Sequence, residues 1–260
     1  MPAVERDLGE KCLRRGTDSE EAIAPAMLAR LVLVGGERRQ VSLVLELLAG
    51  VVRARMARDL ARPVEHAHDG LREGVRLLHL AFHFLLSSDV AHDGYSWIEP
   101  RLSEALQRRV AAMCEHVWDL HGGAQDVPYA FRLLKRSFPE GKLLLGPTEY
   151  GLTCATFVIA VFRGAGIELV DVETWEPRSG DDIGFSALLK VLERHADKEH
   201  TDFVRTEAGC ALFRPAEVAA ATAMSPMPVS MQRADPAGKK VEETIMAAQP
   251  VVSPQLPNAT

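Results

Sequence analysis

An alternation of apolar and polar positions predicts a β-hairpin in the first half of the chain. Residues 75–86, VRLLHLAFHFLL, are short, apolar and bounded by turn-forming residues, as is typical of a strand. Side chains two positions apart share a strand face, so His79 and His83 are expected on the same face. The polar residues 87–89, SSD, predict the turn, and residues 90–100 predict the return strand.

Two segments show the three-and-four spacing of an amphipathic helix. Residues 42–62 place leucines and valines on one face and carry four arginines in the last turns, where positive charge suits the helix dipole. Residues 104–121 follow Ser103, a capping residue, and precede Gly122, which stops a helix. The apolar positions of this second helix are Leu106, Val110, Met113, Val117 and Leu120.

A long apolar stretch, GLTCATFVIAVFRGAGIELV, occupies residues 151–170 and predicts a third helix. Thr153 is placed to cap its start, and Gly166 to end it in a left-handed conformation. One cysteine, Cys154, lies directly after the cap. One or two more helices are expected between residues 171 and 218.

These elements predict an α+β fold with additional helices at both ends. Residues 1–62 are interpreted as a helical N-terminal extension. Residues 63–221 are interpreted as the functional domain, in which a small antiparallel sheet packs on the helix that begins at Cys154. Residues 222–260 are rich in Pro, Ala, Ser, Met and Gln, which is typical of disordered chain. Deletion of residues 226–260 is therefore expected to leave folding intact.

Composition and charge narrow the classes of partner. The chain has 260 residues, a formal net charge of −6, 47% apolar and 25% charged residues, which are ordinary values for a globular protein. No Lys/Arg block is large enough to follow a row of phosphates, so no nucleic-acid partner is expected. No apolar run approaches the ~18 residues of a membrane span. With a charged start and four scattered cysteines, a cytoplasmic location is expected.

Two interpretations of Cys154 compete. An isolated cysteine in an apolar helix is usually a small buried hydrophobe. At a helix start, however, the positive end of the dipole favours the thiolate, which is the nucleophilic form. Gly151, just upstream, permits a sharp turn that would expose the first helical side chain. Such a nucleophile also needs a histidine to accept its proton.

Histidines are concentrated upstream of the cysteine. Five of the nine lie between residues 66 and 92. His79 and His83 are expected on one face of a strand that is otherwise apolar. A lone histidine there would most often be a core residue, but two on one face point toward a site.

Three segments, taken in order, resemble the circularly permuted relatives of NlpC-type cysteine peptidases, which include the YiiX-like and lecithin retinol acyltransferase-like proteins. Residues 79–83, HLAFH, resemble the strand that carries the family's histidine. Residues 128–131, PYAF, resemble its Pro-Tyr segment, and residues 154–167, CATFVIAVFRGAGI, its cysteine-bearing helix. The resemblance covers roughly residues 70–170 and implies a permuted papain-like core.

The resemblance implies a role for each candidate site residue. Cys154 would be the nucleophile and His79 the general base. A third polar group would hold the imidazole and stabilise its charged form. Glu99 matches the glutamate that YiiX-like proteins carry at the end of the following strand and is favoured. His92 is the second candidate and His83 the third.

The implied activity is that of a thiol-dependent hydrolase or acyltransferase that needs no cofactor. Its substrate would be an amide, isopeptide or acyl ester, from a peptide or a lipid; the sequence does not choose among them, nor does it fix the oligomeric state. Three departures from the family pattern concern the surroundings of the chemistry. Ala81 stands for glycine, Ala130 for aspartate, and Ala155-Thr156 for Ser-Glu.

A metal-dependent hydrolase is a different interpretation of the histidines. His66, His68 and Asp69, with His79 or His83, offer the nitrogen and oxygen ligands that zinc accepts. No recognised zinc-hydrolase motif supports this set, and a surface loop is the simpler account of HAHD.

A third interpretation is a non-catalytic binding module. It would keep the fold without the activity, and its N-terminal segment and C-terminal tail would serve as docking elements. Failure of an activated acyl probe to label Cys154 in folded protein would favour it.

Overall fold

A computed structural model describes six stretches of the chain. They are residues 29–35, 42–47, 76–90, 96–122, 127–133 and 151–247.

Five strands form one antiparallel sheet. Along the sheet they follow the order β4-β3-β1-β2-β5, so β3 has a neighbour on each side and β5 lies at an edge. In chain order the strands are β1 (Ala29–Gly35), β2 (Ser42–Leu47), β3 (Arg76–Phe82), β4 (Leu85–Val90) and β5 (Ser96–Ile98).

The predicted strand at residues 75–86 is confirmed over β3, but its turn lies earlier than expected. The chain reverses at His83 and Phe84, and residues 87–89 belong to β4. Phe84 adopts a φ of 58°, a left-handed conformation that local sequence did not suggest. Its N–H donates to the Val127 carbonyl at 3.0 Å, so a distant segment takes part in fixing the turn.

Six helices lie in the described part of the chain. In chain order they are α1 (Glu104–His121), α2 (Cys154–Gly164), α3 (Asp181–Leu192), α4 (Lys198–Arg205), α5 (Pro215–Thr222) and α6 (Met231–Ala247). The predicted helices at 104–121 and after Thr153 are confirmed. One or two more were expected between residues 171 and 218, and three begin there, α3, α4 and α5.

Local hydrogen bonds set both ends of α2. The Thr153 hydroxyl accepts from the Thr156 N–H at 3.1 Å, and the Thr156 hydroxyl accepts from the Thr153 N–H at 2.7 Å. This reciprocal pair is a capping box. At the other end Gly166 has a φ of 75°, and Ile167 donates to the Phe162 carbonyl at 2.9 Å. That bond is typical of a helix that ends on a left-handed glycine.

The helices pack against the sheet around one apolar core. Contacts join α2 to β1 and β3, α1 to α2 and β1, and α5 to β1, β2 and β5. Nine consecutive positions of α2, from Cys154 to Phe162, are buried, and so is each residue of α5. The predicted α+β class, with the antiparallel sheet packed on the cysteine helix, is confirmed.

The predicted boundaries of the domains are wrong at the N-terminal side. Residues 42–47 are strand β2, not the start of a helix over 42–62. Strand β1 pairs with β2 and β3, so residues 29–35 and 42–47 are part of the main sheet, not of a helical extension. Over six residues, leucines and valines fit the spacing of a helix as well as that of a strand. Pairing with the neighbouring strands determines that this segment is a strand. The rest of residues 1–62 lies outside the described residues.

The predicted disordered tail is also wrong over most of its length. Residues 231–247 form α6, which packs on α5. Its buried positions are Ala234, Gly238, Val241 and Ile245, at spacings of four, three and four. These spacings are those of a helix with one buried face. Two of the four buried residues are Ala and Gly, so the composition of this segment resembled that of disordered chain. Residues 248–260 lie outside the described residues.

Candidate functional site

Cys154 is the first residue of α2 and is 8% exposed. The flanking Gly151, Leu152 and Thr153 are also buried. The predicted position of the cysteine, at a capped helix start, is therefore confirmed. The thiol was expected to be open to a cleft. Cys154 is buried, but it lines a small cavity.

An extended segment, Val127–Leu133, runs beside the start of α2. Leu152 donates to the Pro128 carbonyl at 3.0 Å. A Cβ on Gly151 would lie 2.6 Å from the Ala130 nitrogen and 2.7 Å from the Pro128 carbonyl oxygen. The close approach of these two backbones thus requires glycine at 151. It brings Tyr129, from the Pro-Tyr segment, next to the cysteine.

The Tyr129 phenol is buried in this contact. Burial, and then the charge of the Cys154 thiolate, raise the pKa of Tyr129 well above its ordinary value. The phenol is therefore protonated at neutral pH and offers an O–H donor close to Cys154.

A cavity of about 40 Å³ lies beside Cys154. One wall comes from the segment that precedes α2 and from α2 itself, and the other from α3 and the chain that enters α5. The first wall consists of Tyr129, Phe131, Thr153 and Cys154, and the second of Leu188, Leu212, Phe213, Arg214 and Pro215.

Two histidines hold the backbone of Tyr129. The Tyr129 N–H donates to His83 Nδ1 at 3.2 Å, and the Tyr129 carbonyl oxygen lies 2.8 Å from His200 Nε2. The two imidazole rings are 4.5 Å apart. Burial, and then the nearby His200, lower the pKa of His83 to about 4, against a smaller opposing effect of Asp197. His83 is therefore neutral at pH 7 and able to accept.

A buried carboxylate supports the next turn of the same segment. Glu207 is 3% exposed and accepts from the Phe131 N–H at 2.7 Å. Burial raises the pKa of Glu207, and the backbone bonds of Phe131 and Arg132 oppose that rise. The Val127–Leu133 segment is thus fixed at three successive points, at positions 128, 129 and 131.

Ion pairs lie behind the far wall of the cavity. Arg214 donates to Asp181 at 2.9 Å, and Arg178 donates to Glu217 and to the Leu212 carbonyl. Burial alone would lower the pKa of Arg178, but its hydrogen bond to Glu217 and the surrounding carboxylates raise it. These contacts tie the N-terminal ends of α3 and α5 together and set the width of the cavity.

His79 is a buried residue of the sheet. It occupies the centre of β3 and is 3% exposed. Because side chains alternate along a strand, His79 shares a face of β3 with Leu77, which is also buried. The pairing of His79 with Cys154 stays a prediction.

The three candidates for the third residue lie in different places. Glu99 is exposed and follows β5, three strand positions from β3. At about 4.8 Å per strand this separation is roughly 14 Å, which is beyond hydrogen-bond reach of His79. His83 contacts the Tyr129 backbone instead, and His92 lies outside the described residues.

Most of the predicted zinc ligands lie outside the residues that the structure describes. Among the residues that it does describe, no group of three or more His, Cys, Asp or Glu side chains is placed to hold a metal ion. His66, His68 and Asp69 lie outside the described residues.

Sequence reasoning missed His200, Glu207 and the cavity wall from α3 and α5. The Pro-Tyr segment was noticed, but its supports come from residues about 70 positions further along the chain. No local pattern marks such distant partners.

No protein-family model matches this chain, and no curated protein or solved structure is similar enough to count as a match. The resemblance to permuted NlpC-type peptidases therefore stays a prediction. Over the residues that the structure covers, none of the helices has the length and apolar character to cross a bilayer, in agreement with the sequence expectation.

Proposed function

We propose that the protein is a thiol-dependent hydrolase or acyltransferase with Cys154 as its nucleophile. The observation that carries the proposal is the cavity beside Cys154, because a helix-start cysteine next to an apolar cavity can meet a carbonyl group out of water. The dipole of α2 favours negative charge on the sulfur. The Tyr129 phenol supplies a donor for charge that develops during attack.

The proposed reaction has two steps. The Cys154 thiol loses its proton, and the sulfur forms a bond to the acyl carbon while the bond from that carbon to the leaving oxygen or nitrogen breaks. The leaving group departs with the electron pair and takes up a proton. Water, or an acceptor alcohol or amine, then attacks the thioester, which releases the acyl product and restores the thiol.

The identity of the base is a separate part of the proposal. The family resemblance assigns it to His79, a buried residue at the centre of β3. His200 is the buried imidazole that contacts the Tyr129 backbone. Variants of both residues therefore belong in the test, and loss of turnover in one of them, with the fold retained, identifies the base.

The experiment compares alkylation of the thiols with turnover of an activated ester. Burial raises the pKa of Cys114 to about 12 and that of Cys210 to about 11, so both thiols should react slowly with iodoacetamide. In a Cys12→Ser background at pH 6.5, we expect Cys154 to be modified first, as read by peptide mass spectrometry. Cys154→Ser should abolish p-nitrophenyl acetate turnover.

Cys210→Ser is the matched control, since this half-buried cysteine lies outside the cavity lining. It should retain both the fold and the turnover. Equal labelling of Cys154 and Cys210, together with unchanged turnover in Cys154→Ser, would show that the cysteine is a core residue.

A non-catalytic binding module is the second candidate, and the burial of Cys154 favours it. A cysteine that is 8% exposed beside the cavity would help to hold a ligand there without turnover. Under this alternative, short acyl compounds would shift the melting temperature, and no thioester would form on Cys154.

A further inference from the structure

The size of the cavity beside Cys154 limits the group that can occupy it. A cavity of about 150 Å³ lined by apolar side chains admits a benzene ring. The cavity here is about 40 Å³. This volume suits a chain of roughly two to four carbons and is too small to enclose a ring or a long lipid chain.

The lining specifies an apolar and uncharged group. Phe131, Leu212 and Phe213 are buried and surround the cavity with apolar surface. The cation in the lining, Arg214, is already bonded to Asp181 at 2.9 Å and also faces Asp235 and Glu242. A further anion would meet these carboxylates, so the cavity does not select an anionic acyl group.

The entrance lies on the side of α3 and α5. The Arg214 side chain is 30% exposed and Leu188 is half-buried, whereas Tyr129 and Phe131 on the opposite wall are buried. Leu188 therefore lies where a longer chain would have to pass. Shortening the Leu188 side chain should therefore lengthen the cavity without changing the wall that contains Cys154.

We propose that this cavity is an acyl-binding subsite that restricts the enzyme to short, neutral acyl groups, with Leu188 as the specificity-determining residue. The proposal rests on the proposed function of Cys154. In the test reaction the Cys154 sulfur bonds to the carbonyl carbon of a p-nitrophenyl ester, the carbon–oxygen bond breaks, and p-nitrophenolate leaves with the electron pair.

The experiment measures acylation of Cys154 with p-nitrophenyl acetate, butyrate, hexanoate and octanoate. The adduct is detected by intact mass and each rate is divided by the rate of the same ester with free N-acetylcysteine, which removes intrinsic reactivity. We expect the normalised rate to fall at least tenfold from butyrate to octanoate. Leu188→Ala should raise the octanoate-to-butyrate ratio at least fivefold, and Leu188→Phe should depress butyrate relative to acetate.

Leu189→Ala is the matched control, because Leu189 is the next residue of α3, is equally half-buried against the core and does not line the cavity. Its ratio should equal that of the wild type. A wild-type rate that is level or rises toward octanoate overturns the proposal, as does an unchanged ratio in Leu188→Ala. No adduct with any ester on folded protein would overturn the proposed function and this inference with it.

Discussion

At the scale of single residues, His83 and His200 decide where the Tyr129 ring lies. Each imidazole binds one polar group of the Tyr129 backbone, and the tyrosine ring in turn forms part of the cavity beside Cys154. The contact of His83 requires an unprotonated Nδ1, since a protonated ring nitrogen cannot accept. The position of Tyr129 is thereby coupled to the charge of His83.

In the His83→Gln variant, the free energy of unfolding should depend less on pH than it does in the wild type. The pKa of His83 is about 4 in the folded protein and 6.5 in the unfolded chain. As pH falls below 6.5, His83 takes up a proton in the unfolded chain before it does so in the folded protein. The contribution of His83 to the free energy of unfolding is therefore full above pH 6.5 and decreases as the pH falls from 6.5 to 4. Between pH 7.5 and pH 4, the free energy of unfolding should fall by about 1–2 kcal/mol more in the wild type than in the variant, a figure that allows for the partial exposure of His83.

Urea unfolding at pH 7.5, 6, 5 and 4 checks this prediction. Glu207, whose pKa is raised, titrates with the opposite sign, but it is present in both proteins and cancels in the difference. Ala112→Gln, at an exposed position of α1, is the control and should follow the wild type. Parallel profiles for wild type and His83→Gln would contradict the role given to His83.

The sequence predicted the residues of the site better than their arrangement. The capping pattern placed Cys154 correctly, because a Thr-x-x-Thr cap acts through bonds within four residues. The supports of Tyr129 were not predicted, because His200 and Glu207 reach its segment from distant elements and no residue near Cys154 encodes those contacts.

At the scale of elements, α6 crosses α5 at a point where only glycine fits. A Cβ on Gly238 would lie 2.8 Å from Glu217 Cγ and 2.9 Å from the Glu217 Cα and nitrogen. The Glu217 backbone cannot give way cheaply, since its carboxylate is bonded to Arg178. This contact joins the helix that was expected to be disordered to the ion pairs behind the cavity.

Gly238→Ala should therefore destabilise the protein, although alanine is the better helix former by about 1 kcal/mol. Overpacking at a rigid contact costs about 1–3 kcal/mol and outweighs that gain. The free energy of unfolding, from urea titration, should fall by about 1–2 kcal/mol. Lys240→Ala, at an exposed position of the same helix, should stay within about 0.5 kcal/mol of the wild type. A more stable Gly238→Ala would show that the helices are further apart.

Helices and strands could be predicted from the sequence where the residues that determine them are close together in the chain. Ser103 and Thr153 mark the starts of α1 and α2, and both act through bonds to the first helical turn. Strand β2 was mistaken for a helix because its identity depends on pairing with β1 and β5. The β3–β4 turn was misplaced because a phenylalanine, not a glycine or asparagine, takes the positive φ.

At the scale of the whole molecule, the C-terminal region completes the core. The Val229 N–H donates to Leu169 at 3.0 Å and its carbonyl accepts from Asp171 at 2.9 Å, which brings the chain beside the end of α2. Val241 and Ile245 then bury their side chains against the helices. The last described part of the chain is thus structural, in contrast to the expectation from composition.

Truncation after residue 223 should consequently abolish cooperative unfolding. The deletion removes Val229, Val241 and Ile245, and burying each such side chain contributes about 1.5–3 kcal/mol. Their combined contribution is comparable to the whole net stability of a typical domain, about 5–15 kcal/mol. It also uncovers α5, whose Glu217 is 3% exposed beside Arg178. Differential scanning calorimetry should show a single transition for the full chain and none for the truncated one. Truncation after residue 247 is the matched control and should keep the transition, because Ile245 is the last core residue in the described part of the chain. A sharp transition after the shorter truncation would show that α6 is an independent appendage.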